Sequence, residues 1–321
     1  MRAALLFGNE DLRVLDVADP VPGPGEVLVR IEAATTCGTD VKTWQRGHPL
    51  VTTYPARFGH EMAGEIADAG PGVTSVAPGD RVLVGDSVAC GRCRHCAAGR
   101  PQICAEPQWV FGGFAELMVA PAGALHRVPD ALEPAAAAMA EPLAAAVHAI
   151  ARAPAHGLAP DVGVLGGGPM GQMLAALLVA EGRTVTLADR HAERRAQAEA
   201  AGAASADRLG DHDVVFEAVG RPDAWREAVQ ACAPGGCVVF VGGCKGGTDA
   251  VLPTRPLHYD ELDLRGAFHH SRQEVDRALA LLAAGALDWR ALAAGPIGLD
   301  DLADALAAGN QGPARKWVVM P

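Results

Sequence analysis

The sequence predicts an α/β protein in two parts, an irregular all-β unit over roughly the first 130 residues and then a doubly wound parallel sheet. Three observations predict it. The first stretch breaks into short strand-like segments separated by Gly and Pro; an apolar segment at 162–165 runs into a glycine-rich turn and an apolar helix; and apolar strands then alternate with helical patterns to about residue 268. With 321 residues, 50% of them hydrophobic and 20% charged, the chain can bury two cores and is not a disordered polypeptide.

Composition also narrows the function. No run approaches the roughly 18 consecutive apolar residues of a membrane span, and the first seven residues are too short an apolar segment for a signal peptide. The expectation is a soluble cytoplasmic protein. A net charge of -11, with Lys42, Lys245 and Lys316 as the only lysines, argues against nucleic acid or an anionic membrane surface as partner. Eight cysteines in a cytoplasmic chain read as metal ligands or core residues rather than disulfides.

Taking the elements in order, the turn at 20–25 introduces an alternating strand at 26–33, with Val27, Val29 and Ile31 on one face. Further strands are expected at 61–69, 80–84 and 114–119. Cys37, Gly38, Thr39 and Asp40 set a thiol, a hydroxyl and a carboxylate side by side, a poor recipe for packing but a good one for a wall of a metal site. His60 and Glu61 offer a second wall, and Glu141, between Ala-rich stretches, a distant ligand. Catalytic zinc takes three protein ligands from Cys, His and carboxylate and keeps one position open. Taken singly, each of these is more ordinarily a core or solvated residue.

Cys90, Cys93, Cys96 and Cys104, spaced two, two and seven residues apart, carry the strongest signal. Four thiolates on one loop fit a closed, tetrahedral structural zinc site. An iron–sulfur cluster is the competing metal reading; the displaced fourth Cys and the polar loop favour zinc.

Residues 133–152 read as an Ala-rich helix broken at Pro142. After the 162–165 strand, Gly166, Gly168 and Gly171, with Met170 among them, match G-x-G-x-x-G ahead of a helix at 172–181. Free N–H groups and the dipole at that helix start suit phosphates. Asp189, ending the next strand at 184–188, can accept from ribose hydroxyls, which favours NAD over NADP; Arg190 beside it keeps NADP open. Helices follow at 192–201 and 222–232, with strands at 213–217, 236–241 and 263–268.

Between residues 202 and 213 there is room for a three-residue third strand and little else. Crossing from there to the fourth strand spans about 14 Å and normally takes a dozen or more residues, so the third strand and its crossover helix are expected to be shortened or missing. Helices at 274–284, with Val275, Leu279 and Leu282 inward, and at 299–307, and a strand at 317–320, are expected to return to the first unit. The resulting domains are 1–142 with 270–321, carrying a metal lobe at about 88–106, and 143–269.

Together these motifs resemble the zinc-dependent medium-chain dehydrogenases, in particular the polyol and threonine dehydrogenase branch, over essentially the whole chain. The matching pieces are the runs at Cys37 and Gly59, the four-Cys lobe, residues 112–117, Glu141 with Pro142, and the turn at Gly166. The resemblance implies a GroES-like catalytic domain and a Rossmann domain, two zinc ions per chain, NAD as cofactor, a small alcohol or ketone as substrate, and a homodimer or homotetramer. On these residues it implies that Cys37, His60 and Glu141 bind the catalytic zinc, with Glu61 as an alternating ligand. Asp40 orients His60, Thr39 takes the proton from the alcohol, and Lys316 reaches the cofactor pyrophosphate. Where relatives often carry a relay His, this chain has Lys42, either a relay group or a solvated lysine. Trp44 is expected to wall the substrate pocket, whereas His269 and His270 read as surface residues with a place beside the nicotinamide as the other option.

The expected reaction is oxidation of a polar secondary alcohol, a polyol, sugar alcohol or amino alcohol, to the ketone. The alternatives are an inactive cofactor-binding protein serving as redox sensor or scaffold, a carbonyl reductase using NADPH, and a zinc-free quinone reductase, which the two ligand sets disfavour.

Overall fold

Strand Glu26–Thr35 organises the first sheet, because Val27, Val29 and Ile31 alternate inward along it and three neighbours pair with it. The computed structural model describes residues 1–154, 161–309 and 312–321. In it the first sheet runs Leu125–Arg127, Arg81–Val84, Met62–Ala69, Glu26–Thr35, Lys316–Val319 and Ala293–Ile297, with Leu117–Pro121 also pairing Glu26–Thr35. The last two strands in the chain thus return to the first sheet: Val318 and Val319 pair antiparallel with Thr35 and Ala34. That return carries Lys316 under the residues around Cys37.

The second sheet is parallel throughout, in the order Ala204–Ala206, Thr184–Ala188, Asp161–Leu165, His212–Glu217, Cys232–Phe240 and Asp263–Gly266. Its order reverses beside Asp161–Leu165, and such a switch point opens a ligand crevice at the carboxyl ends of the strands. The third strand has the three residues that the short segment allows, Ala204–Ala206, and no helix lies between it and His212–Glu217. The expected shortening is therefore present, with a residual edge strand rather than none.

Two local differences have physical reasons. The Ala-rich helix breaks at Met139, between Pro134–Ala138 and Ala140–Arg152, not at Pro142. Pro142 lies in the first turn of the second helix, where a missing N–H leaves no intrahelical bond unmade. The strand expected at 114–119 starts later, at Leu117–Pro121.

The run Pro134–Arg152 is long and apolar enough to cross a membrane by length and composition, but 72% of its apolar window is buried inside the protein. Met139, Leu143 and Ala144 are fully covered in a core shared with Val164 and Leu174 below the glycine turn and with Leu279 of helix Arg272–Ala283. The run therefore packs between the two sheets and fixes Glu141 at their junction. Because Pro142 occupies a first-turn position, Pro142→Ala should shift stability by less than about 1 kcal/mol. A larger loss in a thermal melt followed by circular dichroism would show that the ring itself holds the helix start.

Candidate functional site

The site begins with a helix the sequence reading did not anticipate, Gly38–Arg46. Cys37 is its N-cap, and Asp40, three residues on, accepts the Cys37 N–H at 2.7 Å through Oδ2. This is the reciprocal arrangement of a capping box, with a thiol in place of the usual hydroxyl. The other oxygen of Asp40, Oδ1, lies 3.3 Å from His60 Nδ1. With Nδ1 turned to a carboxylate, His60 presents Nε2 as its free ligand atom.

The ligand atoms of Cys37, His60 and Glu61 all lie within 4.8 Å of one another. Glu61 is fully buried; its Oε1 accepts from Lys316 Nζ at 2.8 Å and its Oε2 takes a short bond from the Thr35 hydroxyl. Burial raises the Cys37 thiol, while the nearby Lys316 ammonium and His60 lower it, and the balance leaves it at about 7. The thiolate is therefore accessible near neutrality, as metal binding requires.

Two expectations are corrected here. Lys316 does not extend toward a pyrophosphate: its ammonium is buried against Glu61, and burial, which lowers it, is outweighed by Glu61 and Cys37, which hold it up. Trp44 does not wall a pocket. Helical spacing puts Gly38, Val41, Lys42 and Gln45 on the face that lines the cleft and turns Asp40, Thr43 and Trp44 into the core. Glu141 stands between the two clusters: its charge acts on Glu61 and Lys316 and that of His60 on it, while its Oε1 lies 2.9 Å from His270 Nε2 in a group with Asp86 and His269. The two histidines read as surface residues are thus enclosed: His270 is buried, and His269 sits in the left-handed region at φ 60 with its side chain almost covered.

Aromatic side chains do stand beside the metal-ligand cluster, but from a later segment. Phe111 meets the His60 ring edge-on at 6.4 Å, Trp109 stacks on Phe111, and His269 lies 5.4 Å from Trp109. The short Gln108–Trp109 strand pairing with Ser87–Val88 places them there. A two-residue strand leaves no periodicity in a sequence, so the only available signal was the clustering of rare aromatic residues.

The four-Cys lobe closes on itself. Cys93 Sγ lies 3.5 Å from Cys96 Sγ and 3.9 Å from Cys104 Sγ. Tetrahedral zinc with bonds of about 2.3 Å sets sulfurs about 3.8 Å apart, so the spacing fits that ion. N–H groups of Ala105 and Cys96 pull the Cys93 thiol down to about 6.

The glycine turn divides its tasks. Gly166 adopts φ +102; at Gly168 a side chain would meet only open space; at Gly171 one would strike the Gly166 carbonyl at 1.8 Å. The second position is therefore open for a phosphate to approach, and the third packs helix Pro169–Ala180 on the strand. Asp189 accepts from Gly167 N–H and His191 N–H, each at 2.8 Å, at the edge of a pocket also lined by Arg190, Arg208 and Arg221. A cleft of about 510 Å³ joins the two halves, with Cys37, Thr39 and Lys42 on one wall and Gly168, Met170 and Val219 on the other.

Behind Ala218 and Val219 of the cleft wall lies a group that the sequence reading does not single out. Glu217 ends strand His212–Glu217 fully buried, and its Oε1 accepts from Val219 and Gly220 N–H at 2.8 and 2.9 Å. Its Oε2 has no hydrogen-bond partner. Burial outweighs the pull of the Gly220, Val219 and Gly242 N–H groups and of Trp225 and raises this carboxyl to about 7.

With this geometry in place, the relatives are informative. The family model for the alcohol dehydrogenase GroES-like domain matches residues 23–130, and that for zinc-binding dehydrogenase matches 169–284. An L-threonine 3-dehydrogenase of Streptomyces avermitilis is 30% identical, over 96% of this chain and 95% of its own. The chain belongs to the zinc-dependent medium-chain dehydrogenases. An L-galactonate-5-dehydrogenase of Escherichia coli is 32% identical, over 83% of this dehydrogenase and 82% of its own chain. A zinc-binding dehydrogenase of Sinorhizobium meliloti 1021 bound to NADP superposes with a TM-score of 0.93 at 30% identity, covering 100% of this chain and 99% of that one. The dehydrogenase is accordingly an oxidoreductase that uses zinc and a nicotinamide cofactor.

Removing one half of the buried Lys316–Glu61 pair strands a charge, which typically costs roughly 3–5 kcal/mol. Lys316→Met should lower stability by that order in denaturant unfolding, and Glu61→Gln in the same chain should recover much of the loss. A double variant no more stable than the single one would contradict the pairing.

Glu217 gives a pH dependence with a definite sign. In the unfolded chain it titrates near its ordinary 4.5, so between about 4.5 and 7 the folded chain keeps a proton the unfolded chain has lost. Its contribution to stability thus falls as pH rises through that window and levels off above it. Glu217→Gln should gain on the wild type steadily between these limits in melts across pH; parallel melting curves would contradict the assignment.

Proposed function

We propose that this dehydrogenase oxidises a polar secondary alcohol, a polyol, sugar alcohol or amino alcohol, to the ketone and passes the hydride to NAD. The observation that carries the reading is that one cleft is walled by Cys37 and Thr39 on one side and by the glycine turn on the other. Cys37, His60 and Glu141 hold the catalytic zinc in this reading, with Glu61 as an alternating ligand, and Cys90, Cys93, Cys96 and Cys104 a structural one. The catalytic ion supplies a lowered pKa for the substrate hydroxyl.

The chain's own residues divide the remaining work. Asp40 keeps His60 Nε2 aimed at the metal position. Thr39, at the helix start beside Cys37, is the hydroxyl placed to take the substrate proton, and exposed Lys42, one turn further along, is next on the same face. The N–H groups opening helix Pro169–Ala180 receive the pyrophosphate, and Gly166 and Met170 shape that turn. A polyol or amino alcohol is favoured over a simple alcohol because the relatives that match along most of the chain are named for such substrates.

NAD is favoured by Asp189, whose carboxylate at the edge of the second pocket disfavours an added 2′-phosphate. NADP is the second reading, supported by Arg190 and Arg208 on the same pocket. We place the enzyme in the cytoplasm as a homodimer or homotetramer. Self-association is supported by strand Asp263–Gly266, which among the described residues pairs on one side alone, and by the exposed Val251 and Tyr259 nearby.

The test is cofactor reduction across polyols, amino alcohols and simple alcohols, with NAD and NADP side by side. Cys37→Ser should lose turnover by roughly a thousandfold or more while NAD still quenches tryptophan fluorescence with near wild-type affinity. Turnover within tenfold of wild type would remove Cys37 from the chemistry.

A further inference from the structure

We infer that Glu217 is a positioning residue for the cofactor, locking the two loops that wall the cleft opposite Cys37, and that its buried carboxylate favours the oxidised cofactor over the reduced one. This role rests on the reading above, in which the nicotinamide lies in the cleft beside Cys37. Each loop leaves the end of one of two paired strands: His212–Glu217 runs into residues 218–220 and Cys232–Phe240 into 241–243. Ala218, Val219, Val241, Gly242 and Gly243 line the same cleft as Cys37 and Thr39. Val219 also lines the pocket of Asp189, so the first loop stands at the passage from one to the other.

Glu217 holds both loops from beneath. Its Oε1 accepts from Val219 and Gly220 N–H at 2.8 and 2.9 Å, and its own carbonyl accepts from Val241 and Gly242 N–H at 2.8 and 2.9 Å. The loops also touch each other. A side chain at Gly242 would stand 2.2 Å from Gly220 N and 2.9 Å from Glu217 Oε2, and one at Gly220 would stand 2.7 Å from Gly243 O. Trp225 Nε1 donates to Gly242 O at 3.1 Å and fastens the second loop to helix Pro222–Gln230. The first loop meets the glycine turn as well, since a side chain at Gly166 would strike Val219 Cγ2 at 2.6 Å. A shift of Glu217 therefore reaches the turn and the cleft wall together.

Two N–H donors would be met as well by an amide oxygen, and a fully buried carboxyl is a costly way to meet them. What the acid adds is charge. Oxidation turns the nicotinamide ring from neutral to cationic while the pyrophosphate stays the same, so a carboxylate behind Gly242 raises affinity for NAD relative to NADH. The groups that pull hardest on Glu217 are N–H donors, none of them a cation. Its strand neighbours Leu165 and Phe240 are apolar, and Arg221 is paired with Asp223 at the surface. In the second loop, burial and Glu217 raise the Cys244 thiol, and Lys42 on the opposite wall acts on it with the reverse sign. With the carboxyl at about 7, its charge is present above neutrality and lost below it.

The experiment titrates NAD and NADH by calorimetry into the zinc-loaded full chain without alcohol. At about pH 8.5 the preference of Glu217→Gln for NAD over NADH should fall on the order of tenfold below that of wild type, and at about pH 5.5 the two should agree within about twofold. Titrating groups common to both proteins cancel in that comparison. Equal preferences at both pH values overturn the charge role. Glu217→Gln keeps an acceptor for the two N–H groups and should bind NAD at about pH 5.5 within about threefold of wild type, whereas Glu217→Ala should weaken NAD and NADH alike by about tenfold or more. NAD binding by Glu217→Ala within about threefold of wild type overturns the lock. If that variant does not fold, hydrogen exchange in wild type decides: Val219 and Gly220 N–H should exchange at least about tenfold more slowly in the NAD complex, and unchanged exchange overturns the lock. Where NADP and NADPH bind more tightly, the same ratio is taken with that pair. Failure of either pair to bind removes the reading of the cleft and this role with it, whereas a wrong substrate class leaves the result untouched.

Discussion

Two oxygens of one carboxylate tie the architecture to the chemistry. Asp40 caps the helix that starts at Cys37 with one oxygen and holds His60 Nδ1 with the other. The cap fixes where the thiol sits, because Cys37 must leave the helix in an extended conformation, φ -121 and ψ 158. The imidazole contact fixes which nitrogen faces the thiol. A carboxylate answering both demands has to be three residues from the thiol and nearly buried, and Asp40 is both. Below it the returning strand Lys316–Val319 sets an ammonium against Glu61, so the end of the chain supplies the counter-charge for ligands near its start.

The cofactor half is organised by backbone rather than by charge. Gly166 bends, Gly168 clears a face and Gly171 lets helix and strand touch, while Glu217 ties the neighbouring loop through Val219 and Gly220. Glu217 sits at the end of the fourth strand of this sheet in chain order, just across the switch point from the glycine turn. The two strand ends therefore present one surface of N–H groups and small residues, the kind of surface a dinucleotide needs. The missing crossover after Ala204–Ala206 trims the sheet beyond Asp189 and leaves the pocket there bounded by arginine side chains instead of a helix.

Much of this was legible in the sequence because the signals were local. Strand Thr184–Ala188 has the bounds its apolar pattern indicates, and the short third strand follows from chain length alone. The glycine turn and the four-Cys loop carry their own spacing. What failed did so for one reason, the direction of a side chain depending on an element whose period is hidden. Residues 38–46 have a mixed polar pattern, so their helix went unseen, and without it Trp44 could not be assigned to the face opposite Lys42. Lys316 was read from a motif, whereas its direction is set by which strand it pairs beside. His269 and His270 look like surface residues because nothing nearby in sequence announces Asp86 and Glu141, which only the fold brings to them.

The same long-range convergence explains why the junction between the sheets is so acidic within. A purely apolar junction would hold the two crossings together without directional restraint. Polar groups at the crossings supply direction, but buried carboxylates repel one another unless a cation lies among them. Burial and the neighbouring Glu141 push Asp86 up to about 6 against the pull of His270 and His60. Glu141 itself, although burial raises it, is drawn down to about 2 by His270 and the surrounding imidazoles. Two carboxylates in one enclosure thus respond in opposite directions, because Glu141 takes the direct His270 bond that Asp86, 3.7 Å from the same nitrogen, lacks.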